Sequence, residues 1–244
     1  MTWIKICGMT NVDDALAAVD AGADAVGFVF YEKSPRNISV ETAREMVEQL
    51  PESVEKIGVF VNASDLDPAR VFLEVGLTGI QSYSSVENGG GCAKGGILEL
   101  SLLPKRARFL MALPIKSFGD EEQIRNATLD FTGFWKNRLA EFPFPEGLMD
   151  TFVLDSGDLR MPGGTGKTFD WTKAVSIAEA MQQGGVNLVV AGGLNPENVG
   201  DAMRTLNPWG VDVVSGVEAH PGKKDPGKVR AFVNAVREFD RKTS

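Results

Sequence analysis

Cys7 has the residue type and the position of a catalytic thiol. It lies near the end of the apolar segment Trp3 to Met9, where period-two alternation places Lys5 and Cys7 on one face and Ile4 and Ile6 on the other. A cysteine beside a cation at the end of a strand can be stabilised as a thiolate and act as a base or a nucleophile. The alternative is a small buried hydrophobe, which is how most free cysteines behave.

Asp155 places a carboxyl group at the end of another apolar segment, Thr151 to Asp155. A carboxyl group serves as a general acid when a dry setting or a neighbouring charge keeps it protonated, and the end of a strand can supply that setting. An aspartate here could equally cap a helix or brace a loop. The segment alone leaves both interpretations open.

Two glycine-containing turns later in the chain have the pattern of a phosphate site. The first is the run 191–196, Ala-Gly-Gly-Leu-Asn-Pro, and the second is the run 215–218, Ser-Gly-Val-Glu. Each follows a predicted strand, and free backbone N–H groups in such turns bind phosphate in many barrels. Glycines are also ordinary turn formers, which is the alternative. The candidate phosphate ligands are Gly192, Gly193, Ser215 and Gly216.

Arg36 lies in the loop from Tyr31 to Asn37, next to Pro35. A guanidinium group on such a loop can hold a substrate carboxylate with two parallel hydrogen bonds. A solvated loop arginine is the alternative.

The run Met161 to Thr168 ends in Gly-Lys-Thr but does not match a nucleotide-binding P-loop. That motif needs a glycine five residues before Gly166, where this chain has Met161, and it needs a strand directly before the loop. We interpret the run as a glycine-rich loop over the site that can close on a substrate.

Eight β-rich segments alternate with helical patterns, as in a parallel sheet. The predicted strands are Trp3 to Met9, Ala25 to Phe30, Lys56 to Val61, Gly79 to Tyr83, Phe109 to Ile115, Thr151 to Asp155, Asn187 to Ala191 and Val211 to Ser215. The predicted helices are Val12 to Ala21, Val40 to Leu50, Leu66 to Val75, Phe169 to Gln183, Pro196 to Leu206 after Asn195 as N-cap, and Pro226 to Phe239.

This order predicts an α/β fold, a (β/α)8 TIM barrel in one domain spanning residues 1–244. An open flavodoxin-like sheet would have only about five strands. Residues 84–106 and 116–149 fit the alternation poorly, so we expect irregular fourth and fifth βα segments. In a barrel, the functional residues lie at the C-terminal ends of the strands.

Composition excludes several other classes of protein. A formal net charge of −8 argues against a nucleic-acid surface, and the longest apolar runs are too short for a membrane span. The two cysteines, Cys7 and Cys92, lie in unlike contexts and indicate no disulfide, and with the single His220 they form no metal-binding spacing. We expect a cytoplasmic protein without a bound metal.

The chain resembles the phosphoribosylanthranilate isomerase family. The resemblance rests on motifs that fall in the family's order over nearly the whole chain: Lys5 to Thr10, Gly27 to Phe30 with Ser34 to Arg36, Leu154 to Ser156, Gly163 to Trp171, Ala191 to Leu194, and Gly210 to Val213 with Ser215 to Glu218. The run Pro221 to Asp225 also matches. One departure falls at strand four, where the family's Gln-Leu-His-Gly reads Gln81-Ser82-Tyr83-Ser84.

The resemblance implies an Amadori rearrangement in tryptophan biosynthesis that needs no cofactor. Cys7 would be the general base, Asp155 the general acid and Arg36 the ligand of the anthranilate carboxylate. Asp212 matches an acid near the substrate, and the glycine turns would bind the substrate phosphate through backbone groups. The implied partner is a small phosphorylated substrate, with neither nucleic acid nor membrane, and the implied assembly is a monomer or a homodimer.

Two other functions remain. Another phosphate-binding barrel enzyme of amino-acid biosynthesis could pair two aspartates, but Cys7 occupies the position of the first. A non-catalytic barrel of the same family is the second, although such a chain would be expected to lose Cys7, Asp155 or Arg36 as readily as the strand-four histidine.

Overall fold

Eight parallel strands form a closed barrel in which each strand pairs with the next and β8 pairs with β1. The computed structural model describes residues 1–61, 66–83, 104, 106–115, 151–157, 168–183 and 185–243. The strands are β1 (Trp3–Cys7), β2 (Ala25–Phe30), β3 (Glu55–Val61), β4 (Gly79–Tyr83), β5 (Arg108–Pro114), β6 (Thr151–Asp155), β7 (Asn187–Val190) and β8 (Gly210–Val213). The predicted TIM barrel is confirmed.

Helices follow most of the described strands. They are α1 (Val12–Asp20), α2 (Val40–Val47), α3 (Pro68–Val75), α4 (Val175–Gln183), α5 (Val199–Leu206) and α6 (Pro226–Thr243). A 3-10 turn, Trp171–Ala174, precedes α4, and a short hairpin of β9 (Glu218–His220) and β10 (Lys223–Lys224) lies between β8 and α6. Among the described helices, none has the length and apolarity needed to cross a membrane.

The start of α5 corrects one prediction. We expected the helix to begin at Pro196 with Asn195 as its N-cap, but it begins at Val199. The Asn195 side chain instead accepts hydrogen bonds from the N–H groups of Glu197 (2.9 Å) and Asn198 (3.0 Å). Asn195 therefore closes a turn ahead of the helix, which lengthens the loop after β7.

The core has two layers, and β1 shows why. Ile4 and Ile6 are fully buried in the layer between the barrel and its helices, whereas Cys7 packs in the barrel interior. Lys5 is also fully buried and bonds across the interior to Gln81 and Asp212. The predicted alternation along β1 is thus confirmed.

The N-terminal end of the barrel is closed by aromatic rings. Trp3 stacks on Trp209 with ring centroids 5.3 Å apart, and the Arg108 guanidinium lies over both rings while it pairs with Glu55. Cation–π and stacking contacts of this kind contribute to stability. The pocket described below lies at the opposite end of the barrel, where the strands terminate.

Several sequence-based predictions lie outside the described residues. These are the irregular segments 84–106 and 116–149, apart from Pro104 and Arg106, and the glycine-rich loop up to Lys167. Cys92 lies there as well.

Candidate active site

A pocket of about 650 Å³, its open mouth included, lies at the C-terminal end of the barrel. It brings together residues that are far apart in the sequence. The predicted site residues that line it are Cys7, Arg36, Asp155, Gly192, Gly193, Asp212 and Ser215. Gly216 lies just behind, where its missing side chain leaves room for the carbonyl oxygen of Leu194.

Cys7 ends β1 with its thiol buried at the pocket floor. The neighbouring strand supplies the space, since a Cβ at Gly27 would lie 2.5 Å from the Cys7 sulfur. Burial raises the pKa of the thiol, and the nearby Lys5 charge lowers it only in part. The sequence predicts that the Lys5 cation stabilises a thiolate. The Lys5 charge does lower the pKa of the thiol, but burial has the larger effect, so the resting form is the neutral thiol.

Lys5 forms a buried ion pair beside this thiol. Its Nζ donates to Asp212 Oδ2 at 2.7 Å and to Gln81 Oε1 at 2.7 Å. Burial alone would lower the pKa of Lys5, but the charges of Asp212 and Cys7 outweigh it and the pKa is raised. Among the described residues, Asp212 Oδ1 has no hydrogen-bond partner, although it is buried at the pocket. Asp212 therefore keeps one free acceptor for a bound molecule.

Asp155 is the last residue of β6, and both of its carboxyl oxygens accept hydrogen bonds. Oδ1 accepts from the Gly157 N–H at 3.0 Å, and Oδ2 accepts from the Tyr83 hydroxyl at 2.6 Å. Burial raises the pKa of Asp155 even though these two donors oppose the shift. The carboxyl group thus retains a proton to higher pH than an exposed aspartate does, as a general acid requires.

Arg36 is fixed by Glu218, a partner that sequence reasoning did not identify. Arg36 Nε and Nη2 donate to the two Glu218 oxygens at 3.1 Å and 2.7 Å, and Lys224 Nζ binds Glu218 Oε1 at 3.2 Å. Burial would raise the pKa of Glu218, but Arg36 and Lys224 outweigh it, so the group stays anionic. Glu218 occupies one edge of the guanidinium fork, which leaves the Nη1 and Nη2 edge for a ligand carboxylate.

The two glycine turns pack against each other beside the pocket. Gly192 and Gly193 have φ angles of +83° and +67°, which other residues rarely adopt. A Cβ at Gly192 would overlap Ser156, which follows β6, and a Cβ at Gly216 would overlap the Leu194 carbonyl, so both close approaches require glycine. Among the residues that the structure describes, the N–H groups of Gly192 and Gly193 bond to no acceptor. Both are available to an anion.

Sequence reasoning missed the contacts between side chains of distant strands. It noted Tyr83 only as a departure from the family motif, and it gave Gln81, Gly27 and Glu218 no role. Alternation along β4 places Gln81 and Tyr83 on the same face, which is a signal that could have shown them as interior residues. Within the described ranges, no group of three or more His, Cys, Asp or Glu residues could hold a metal ion.

Comparison with known proteins shows the family to which this chain belongs. The family model described as N-(5'phosphoribosyl)anthranilate (PRA) isomerase matches residues 4–86 and 135–235. The N-(5'-phosphoribosyl)anthranilate isomerase of Pseudomonas aeruginosa (strain LESB58) is 42% identical over 235 residues, which cover 96% of this chain and 94% of that protein.

Two solved structures share the fold over their whole length. Monomers generated from the dimeric phosphoribosylanthranilate isomerase of Thermotoga maritima superpose with a TM-score of 0.71 at 33% identity, covering 98% of this chain and 100% of that chain. A phosphoribosylanthranilate isomerase in complex with reduced 1-(o-carboxyphenylamino)-1-deoxyribulose 5-phosphate gives 0.68 at 33% identity, with the same coverage. The chain therefore belongs to the N-(5'-phosphoribosyl)anthranilate isomerase family and has that family's isomerase activity in tryptophan biosynthesis.

Proposed function

We propose that this chain converts N-(5-phosphoribosyl)anthranilate into 1-(2-carboxyphenylamino)-1-deoxyribulose 5-phosphate, with Cys7 as general base and Asp155 as general acid. The observation that carries the proposal is that one pocket holds a buried thiol and a buried carboxyl group, on β1 and β6, together with a guanidinium group and two glycine turns. The substrate has a group for each of these: a hydrogen at C2, a ring oxygen, a carboxylate and a phosphate.

The first step is acid catalysis by Asp155. Its proton goes to the ribose ring oxygen as the C1–O bond breaks, and the nitrogen lone pair forms an iminium ion at C1. Asp155 is left as a carboxylate, which the Tyr83 hydroxyl and the Gly157 N–H stabilise through the bonds already described. These donors are in place before the charge develops, so they need not reorganise during the reaction.

The second step is base catalysis by Cys7. The thiolate removes the proton from C2, and the electron pair moves to the C1–N unit to give an enolamine, which tautomerises to the ketose. Hydrogen moves within the substrate and no electrons are gained or lost overall. The reaction therefore requires no redox cofactor such as a nicotinamide or a flavin.

The pKa values of both groups are raised, which favours a proton on Asp155 to higher pH but also keeps Cys7 in its neutral thiol form. At a pH between the two pKa values the prevailing pair is a thiol and a carboxylate, whereas the productive pair is a thiolate and a carboxylic acid. The two pairs contain the same number of protons, so the productive pair is a minor tautomer whose share does not change between the two pKa values.

The remaining residues bind the two ends of the substrate. Arg36 holds the anthranilate carboxylate through its free edge, and Asp212 accepts a hydrogen bond near the reacting carbons. The backbone of the turns at Gly192, Gly193, Ser215 and Gly216 receives the phosphate. Binding at both ends holds C2 beside the base, which contributes to the rate by restricting the substrate to a reactive geometry.

The domain organisation, the cellular location, the assembly and the type of partner belong to the same proposal. A single barrel domain over residues 1–244 is supported by structural matches that cover 98% of the chain. A base that must remain a free thiol suits the reducing cytoplasm. A monomer or a homodimer is the expected assembly, the Thermotoga maritima relative having been described as dimeric. The net charge of −8 agrees with a small-molecule partner rather than nucleic acid.

The direct test is an assay with freshly prepared N-(5-phosphoribosyl)anthranilate. We expect formation of the ketose product, measured by chromatography, at roughly 1 to 10³ s⁻¹, and the same rate in excess chelator. Product formation no faster than in the absence of protein would contradict the proposal. Binding of the reduced product analogue without any turnover would instead support a non-catalytic barrel.

Replacing Arg36 with methionine should raise KM by about 10- to 100-fold, because the substrate carboxylate loses charge-assisted hydrogen bonds. The effect on kcat should be smaller, since the contact forms before the chemical steps. Steady-state kinetics check both values, and Arg44→Met, on the exposed face of α2, is the matched control. An unchanged KM in a folded Arg36→Met variant would mean that Arg36 only braces its loop.

A further inference from the structure

Tyr83 contacts Asp155, the proposed acid, directly. Its hydroxyl lies 2.6 Å from Asp155 Oδ2, and its side chain is buried. Tyr83 also joins Gln81 to Asp155 in a chain of buried hydrogen bonds that crosses the barrel from the base side to the acid side. The members of the chain are Asp212, Lys5, Gln81, Tyr83 and Asp155.

The direction of each hydrogen bond in this chain is fixed by Lys5. An ammonium group can only donate, so the Gln81 oxygen must face it and the Gln81 Nε2 must face Tyr83, whose oxygen lies 3.4 Å away. The Tyr83 oxygen therefore accepts from Gln81, and its single proton is directed to Asp155.

We propose that Tyr83 is a positioning residue that holds the Asp155 carboxyl group and sets its acid strength, with Gln81 fixing the direction of the Tyr83 hydroxyl. The proposal rests on the role of Asp155 in the proposed function. A hydroxyl donor stabilises the carboxylate more than the carboxylic acid, so it opposes the effect of burial. Without it, Asp155 would hold its proton more tightly and transfer it less readily to the ring oxygen.

Tyr83→Phe separates this role from simple packing, because phenylalanine keeps the ring and deletes only the hydroxyl. The lower limb of the pH profile of kcat/KM should move to higher pH by about one to two units, the worth of one hydrogen bond to a charged group. The sign follows from the loss of a donor, since a buried carboxylate with fewer donors has a higher pKa. A purely structural role would leave this limb unmoved.

Two further variants serve as comparisons for Tyr83→Phe. Tyr31→Phe removes the hydroxyl of the only other tyrosine, which lines the same pocket, and it should leave the limb in place. Gln81→Met keeps Tyr83 but removes the donor that orients its hydroxyl, and it should give a smaller shift in the same direction as Tyr83→Phe.

A second measurement does not depend on turnover. Infrared difference spectra against Asp155→Asn follow the carboxyl stretch of Asp155 itself, so they report its titration even in an inactive Tyr83→Phe variant. We expect the same upward shift there. A titration that is unmoved by Tyr83→Phe would overturn the proposal. A shifted titration with an unshifted kinetic limb would overturn Asp155 as the acid, and the proposal with it.

Discussion

Replacing Cys7 with serine should lower kcat by about two to four orders of magnitude, the usual contribution of a positioned base. Serine keeps the shape of the side chain and fits the space that Gly27 leaves. Its hydroxyl, however, is far less acidic than a thiol, and Lys5 cannot make up the difference in a site where burial already raises the pKa of the thiol. The thiolate is required in only one step, so binding should change little.

Steady-state kinetics with fresh substrate measure this effect, and circular dichroism shows whether the barrel stays folded. Cys92→Ser is the matched control, since it removes the other thiol of the chain. If folded Cys7→Ser turned over within a few-fold of the parent, Cys7 would not be the base.

Asp155→Asn should lower kcat by a similar factor, because an amide has no proton to transfer at this position. Unlike Cys7→Ser, this substitution should also lower the stability of the fold. Asp155 accepts from both Tyr83 and Gly157, whereas asparagine has a single acceptor oxygen, so one of these donors loses its partner. We expect a loss of about 1 to 3 kcal/mol in the free energy of unfolding.

Urea denaturation separates this cost in stability from the loss of activity. Asp24→Asn is the matched control: Asp24 accepts from the Ile4 N–H and pairs with Arg237, just before β2 at the opposite end of the barrel. That variant should lose stability while kcat stays within a few-fold of the parent. An Asp155→Asn variant with comparable kcat would remove Asp155 from the mechanism.

The sequence correctly predicted those features of the fold that depend on local residue patterns. All eight strands lie where their apolar runs predict them, and the alternation along β1 correctly placed Lys5 and Cys7 in the interior. The turns after β7 and β8 were recognisable because their glycines fall directly after strands. Barrel closure then brings the strand ends together without further information.

Contacts between residues that are distant in the sequence could not be predicted from local patterns. Arg36 and Glu218 are 182 positions apart, and Tyr83 and Asp155 are 72 apart, so only the closed barrel shows that they pair. The balance of charge and burial is likewise a property of the packed site. A lysine two residues from a cysteine suggests a stabilised thiolate, but the depth of Cys7 in the barrel reverses the net shift of its pKa.

The pH dependence of kcat/KM tests the paired acid and base most directly. Below the pKa of Asp155 both groups are protonated and no thiolate exists; above the pKa of Cys7 both are deprotonated and no acid exists. The predicted result is a bell with a plateau, whose lower limb lies above the ordinary range of an aspartate and whose upper limb lies above that of a thiol. A profile without two such limbs, in protein that remains folded across the range, would contradict the account.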